Sequence, residues 1–114
     1  MTIPSEHIEQ RNFVQWFRRT YPDVLIFATP NGGGRSMAQA VKLKLEGVVR
    51  GIPDLLVPEW RLWIEMKRIK GGVLSEDQKK IIKYLQSCNY SVLIAPGCNS
   101  AIEQVKGFIN ERKN

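Results

Sequence analysis

Gly51-Ile52-Pro53-Asp54-Leu55-Leu56-Val57-Pro58-Glu59-Trp60-Arg61-Leu62-Trp63-Ile64-Glu65-Met66-Lys67 decides the reading of this chain. Two short apolar runs, Leu55–Val57 and Leu62–Ile64, flank a Pro-containing turn, the pattern of an antiparallel hairpin. If Val57 faces Leu62, the register continues as Leu56 with Trp63, Leu55 with Ile64 and Asp54 with Glu65. The two acids are then directly opposite, with Cβ atoms about 4.5–5.5 Å apart. Lys67, two residues beyond Glu65, falls on the same strand face. Paired carboxylates repel, and one tends to hold its proton. A divalent cation relieves that repulsion, and a nearby ammonium suits an anionic substrate. Each piece also has a plain structural reading, as a turn and a solvated strand face. The apolar flanks place the hairpin inside a sheet, where charges are paired or bind metal.

Working outward, Ser5 can cap a helix over about residues 6–20, with Phe13, Trp16 and Phe17 on its buried face. Glu9 lies on or beside that face, where it is either a helix-end charge or an acid of the site. Val24–Ala28 is a continuous apolar run, which predicts a buried strand. Pro30 to Arg35 is a glycine-rich loop. Its amides, at Asn31, Gly32 and Gly33, could approach a phosphate, and Arg35 adds charge. Ser36 can cap a second helix with an apolar stripe of Met37, Val41 and Leu45, stopped at Gly47. Lys42 and Lys44 lie at the edges of that stripe.

Ser75 caps a third helix, and Gln78 completes a capping box. Ile81, Ile82 and Leu85 form its buried stripe, Ser91–Ala95 is a last strand, and a last helix runs from Ala101 to about Arg112. A strand–helix–strand unit implies a parallel crossover. The expected fold is therefore α/β, a mixed four-stranded sheet with helices on both faces.

The 114 residues are one domain's worth, here 1–114, with 43% hydrophobic residues for one modest core. Lys and Arg number 17 against 11 Asp and Glu, a net charge of +6 that favours a polyanionic partner. Cys88, Cys98 and a single histidine do not make a zinc site. No apolar stretch approaches the roughly 20 residues that span a bilayer. The N-terminus lacks the features of a signal peptide. The expectation is a soluble, cytoplasmic protein that needs no membrane.

The constellation resembles the PD-(D/E)xK nuclease superfamily. Within it, the chain is similar to the stand-alone form of the virus-type replication-repair nuclease domain (VRR-NUC). The resemblance rests on Glu9, Pro30-Asn31-Gly32-Gly33, Gly47, Gly51, Pro53-Asp54, Glu65-Met66-Lys67 and Ser75-Glu76-Asp77-Gln78, across about residues 5–97. It implies a restriction-endonuclease-like fold and a metal-dependent DNA endonuclease of a bacterial cell or a phage-infected host. Asp54 and Glu65 would bind Mg²⁺ or Mn²⁺, with the Met66 carbonyl as a further ligand and Glu9 contributing directly or through water. Lys67 would orient or activate the attacking water, and Gln78 would support Lys67. Arg35, Lys42, Lys44, Arg50, Arg68 and Lys70 adjoin this site and could line a DNA groove. Stand-alone members suggest a homodimer that cuts branched DNA such as four-way junctions. Trp60, Trp63 or Tyr90 could serve as the dimer surface or lie in the core, the latter favoured for Trp63. The position four after Gln78 is Ile82, and Tyr84 falls six after, which departs from the Gln-x-x-x-Tyr of exonuclease-type relatives. The alternatives are a non-catalytic nucleic-acid-binding module of the same fold and a flap- or RNA-directed nuclease.

Overall fold

A computed structural model describes residues 2–30 and 36–113. The hairpin forms in the expected register, with β2 (Leu55–Val57) antiparallel to β3 (Leu62–Lys67) and the pairs Leu55–Ile64, Leu56–Trp63 and Val57–Leu62. A 3₁₀ turn over Pro58–Trp60 joins them. It ends at Arg61, whose left-handed backbone (φ 49°) lets the chain reverse. Arg61 then donates to the carbonyls of Cys88 and Asn89 and lies 4.0 Å over the Tyr90 ring.

Outside the hairpin, β1 (Phe27–Ala28) pairs antiparallel with β2, and β4 (Ser91–Pro96) pairs parallel with β3. The sheet order is β1-β2-β3-β4. The helices are α1 (Glu6–Thr20), α2 (Met37–Leu45), α3 (Glu76–Ser87) and α4 (Cys98–Lys113). The parallel β3–β4 pair needs a crossover, and α3 provides it. Strand alternation divides the sheet into two faces. Leu55, Val57, Leu62, Ile64 and Met66 face one side, where they form the core with Phe13 and Phe17 of α1 and Ala101 and Val105 of α4. Asp54, Glu65 and Lys67 face the other side, under α3. None of the described helices is long and apolar enough to cross a membrane.

One expectation changes, and two placements are added. The run Val24–Ala28 is a strand only at Phe27–Ala28. Ile26 is buried, but Leu25 is 62% and Phe27 39% exposed. The reason is position: β1 lies at the sheet edge, where alternate side chains face water. The stripe on α2 does not enter the core, because Met37, Val41 and Leu45 are all exposed and no residue of α2 is buried. Of the two places open to Trp60, the core is the one it takes. It packs on the core with its ring against Phe17, Tyr21 and Phe108, while the half-buried Trp63 meets Tyr90 edge-on.

Candidate metal centre

Gly51 opens the site. It has φ +88°, and a Cβ there would lie 2.7 Å from the Asp77 carbonyl and 2.9 Å from the Gln78 nitrogen. Only glycine lets this segment pass against the first turn of α3. Beyond it, Thr29 fixes the backbone on both sides of the Pro53–Asp54 peptide. Its hydroxyl donates to the Pro53 carbonyl at 2.8 Å, and its N–H donates to the Asp54 carbonyl at 2.8 Å. The Asp54 side chain turns toward β3, where Oδ2 accepts the Met66 N–H at 2.8 Å.

Glu65 stands opposite, 1% exposed. Its Oε1 accepts from Gln78 Nε2 at 3.1 Å and lies 3.8 Å from Lys67 Nζ. Its Oε2 is buried with no hydrogen-bond partner among the described residues. Lys67 Nζ in turn donates to Gln78 Oε1 at 3.0 Å. Gln78 therefore links Glu65 and Lys67 with a single amide. It does so while serving as the capping residue of α3, since Oε1 also accepts the Ser75 N–H at 2.9 Å and the Gln78 N–H reaches Ser75 Oγ at 3.1 Å. The capping box and the contact with Lys67 thus occur together.

The third acid is Glu6. Carboxylate oxygens of Glu6, Asp54 and Glu65 all lie within 4.8 Å of one another. Glu9, the acid expected from α1 directly or through water, is not in this cluster. Its Oε2 accepts the backbone N–H of Cys98 instead. Glu6 and Glu9 share one face of α1 three residues apart, so helical spacing alone does not separate them. Both acids belong to the first turn of α1, and what separates them is the Cys98 N–H that occupies Glu9. Of the expected basic residues, Arg68 comes close enough for its charge to act on Glu6. Arg50 and Lys70 are exposed, and Lys42 and Lys44 lie on the exposed α2. Asn31, Gly32, Gly33 and Arg35 lie outside the described residues.

The cluster fits a hard divalent cation. It offers three carboxylates at short range, and one buried carboxylate oxygen has no other partner. The electrostatics agree. Burial first, then the charge of the neighbouring Asp54, push the Glu65 carboxyl up to about 8 from its ordinary 4.5; Glu6 adds to this and Lys67 opposes it. Burial, then Asp54, also raises Glu6, against Lys67 and Arg68. Between 4.5 and about 8 the native chain thus holds a proton at Glu65 that the unfolded chain releases. Stability from this group is complete below 4.5 and is lost as pH rises through about 8. In EDTA the melting temperature of the wild type should fall relative to Glu65→Gln between roughly pH 5 and pH 9. Saturating Mg²⁺ should close the gap by raising the wild type. A constant difference across that range would contradict the site electrostatics.

A solved structure described as a VRR_NUC domain protein superposes on the chain with a TM-score of 0.79. The two are 24% identical, and the match covers 96% of this chain and 92% of that one. No family model and no curated protein matches the chain. The chain therefore has the fold of that VRR_NUC domain protein, carrying the Asp54, Glu65 and Lys67 constellation on one face of its hairpin.

Proposed function

We propose that the protein is a divalent-cation-dependent endonuclease that hydrolyses phosphodiester bonds in DNA, with branched duplexes such as four-way junctions as its substrates. One observation carries this reading: the Glu6–Asp54–Glu65 cluster, with Lys67 held beside it by Gln78. Mg²⁺ or Mn²⁺, held by these carboxylates and the Met66 carbonyl, would supply Lewis acidity toward water and phosphate. The chain's own residues do the rest. Asp54 and Glu65 orient from adjacent strands, so their spacing follows from the hairpin register. Lys67 places a compact positive charge where a phosphoryl oxygen gains charge, and Gln78 keeps the ammonium from swinging away. Arg68, whose charge reaches Glu6, and the exposed Arg50 and Lys70 would serve as backbone-phosphate contacts, which position a duplex without reading its bases.

The test is cleavage of linear, flapped and four-way DNA by the purified protein in Mg²⁺, Mn²⁺ or EDTA. Cation-dependent nicking, fastest on the four-way substrate, is expected. Binding without cleavage of any substrate would leave only a nucleic-acid-binding module.

We also propose that the working unit is a homodimer. α2 turns Met37 (85% exposed), Val41 (57%) and Leu45 (83%) outward, an apolar stripe that a second copy would cover. Two linked sites could nick both halves of a symmetric junction. Val41→Glu at the centre of this stripe should shift the protein to monomer in sedimentation equilibrium. It should lower the preference for four-way over linear DNA and leave nicking of linear DNA intact. A wild-type protein that sediments as a monomer would sink the dimer but not the nuclease.

A further inference from the structure

Glu9 is a 6% exposed acid that the carboxylate cluster does not use. Its surroundings are built for it. Its Oε2 accepts the N–H of Cys98, the first residue of α4, a group that helix geometry leaves without an intrahelical partner. The positive end of the α4 dipole favours an anion at that point. The residue before, Gly97, is buried with φ +91°, and a Cβ there would lie 2.7 Å from Glu9 Oε2 and 2.7 Å from Ile69 Cγ1. Gly97 also donates its own N–H to the Lys67 carbonyl at 2.9 Å. Two consecutive amides thus join two elements of the site. Gly97 N–H holds the strand end that carries Lys67, and Cys98 N–H holds the helix that carries Glu6.

We propose that Glu9 is a positioning residue: through Cys98 it clamps α1 to the end of β3 and so delivers Glu6, one turn earlier, to Asp54 and Glu65. The apolar contacts of Phe13 and Phe17 hold α1 against the sheet, but they lie one to two turns farther along the helix. Greasy contacts tolerate small rotations that a directional hydrogen bond does not. A rotation or slide of α1 would move Glu6 first, because it stands at the free end. This inference rests on the cation-site reading above for what Glu6 does, though not for the clamp itself.

A clamp and a cation ligand make opposite demands on position 9. The clamp needs reach and an acceptor oxygen, which Glu9→Gln keeps and Glu9→Asp shortens. A ligand needs charge, which Glu9→Asp keeps and Glu9→Gln loses. The experiment titrates Mn²⁺ by electron paramagnetic resonance into wild type, Glu9→Gln, Glu9→Asp and Glu6→Gln. It also follows hydrogen exchange of the Cys98 amide in EDTA. Glu9→Gln should bind Mn²⁺ within about 3-fold of wild type, and Glu9→Asp about 10-fold more weakly, as expected for losing a hydrogen bond to a charged group. Cys98 exchange should quicken in Glu9→Asp and stay near wild type in Glu9→Gln. Glu6→Gln should lose Mn²⁺ affinity with Cys98 exchange unchanged. The reverse ranking, with Glu9→Asp binding well and Glu9→Gln poorly, would make Glu9 a ligand and overturn the proposal. Equal affinity in both Glu9 variants and wild type would overturn it too. Wild-type affinity in Glu6→Gln would strike the cation site itself, and the clamp would then be judged on Cys98 exchange, which needs no ion.

Discussion

Cleavage by Glu65→Gln or Asp54→Asn is expected to fall at least about 10³-fold in Mg²⁺, the equivalent of several kcal/mol of charge stabilisation at the reacting phosphate. Both substitutions are nearly isosteric, so the loss should be chemical rather than structural. Asn at position 54 keeps an oxygen that can accept the Met66 N–H, and the hairpin should close as before. Gln at position 65 removes a carboxyl that burial and Asp54 already strain toward its protonated form. DNA binding in EDTA should survive in both variants and tighten in Asp54→Asn, which removes a carboxylate charge facing the phosphates, whereas Glu65 already holds its proton below about pH 8. Single-turnover cleavage alongside binding in EDTA separates the two effects. Wild-type rates in either variant would remove the residue from the site. Loss of binding and cleavage together, with a lowered melting temperature, would mean that the substitution had broken the fold.

Lys67→Ala is expected to lower the single-turnover rate about 10²- to 10³-fold while changing DNA affinity little, because its charge acts on a group that becomes more negative as the bond breaks. The side chain is only 12% exposed, and its ammonium is fixed by Gln78 Oε1 at 3.0 Å. Gly72 passes close beside the stem, where a Cβ would come within 2.9 Å of the Lys67 Cβ. For the same reason Lys67→Arg should not restore activity. A planar guanidinium is longer and cannot occupy the pocket of a compact ammonium. Gln78 would remain in place in Lys67→Ala through its bond to the Ser75 amide. A Lys67→Ala enzyme that loses affinity and rate in equal proportion would make Lys67 a phosphate anchor and nothing more.

The hairpin and its register were legible because a period of two admits one solution: sliding either strand by one residue would bury Asp54 and Glu65 in the core and expose Ile64. Ser75 and Gln78 announced the start of α3 for a similar reason, since the capping box is local. The failures occur where the answer depends on what lies across from a residue. Glu6 and Glu9 satisfy the same helical spacing, and the choice between them depends on where α4 begins, nearly ninety residues away. Val24–Ala28 has the composition of a buried strand, but it sits at the edge of the sheet, and its neighbours decide its exposure. Met37, Val41 and Leu45 show a helical period correctly; a period says that one face is apolar, not that this face turns inward.

The double service of Gln78 makes the site inseparable from the first turn of α3. One amide closes that turn on Ser75, holds the Lys67 ammonium and neutralises one oxygen of Glu65. Fraying the turn would release all three together, leaving a free lysine above an unscreened pair of acids. Local opening at a helix end is among the lowest-energy excursions a folded protein makes. If the proposed activity holds, it should therefore vanish in partly unfolded chains well before the sheet comes apart, so that a nascent or damaged molecule is silent rather than indiscriminate.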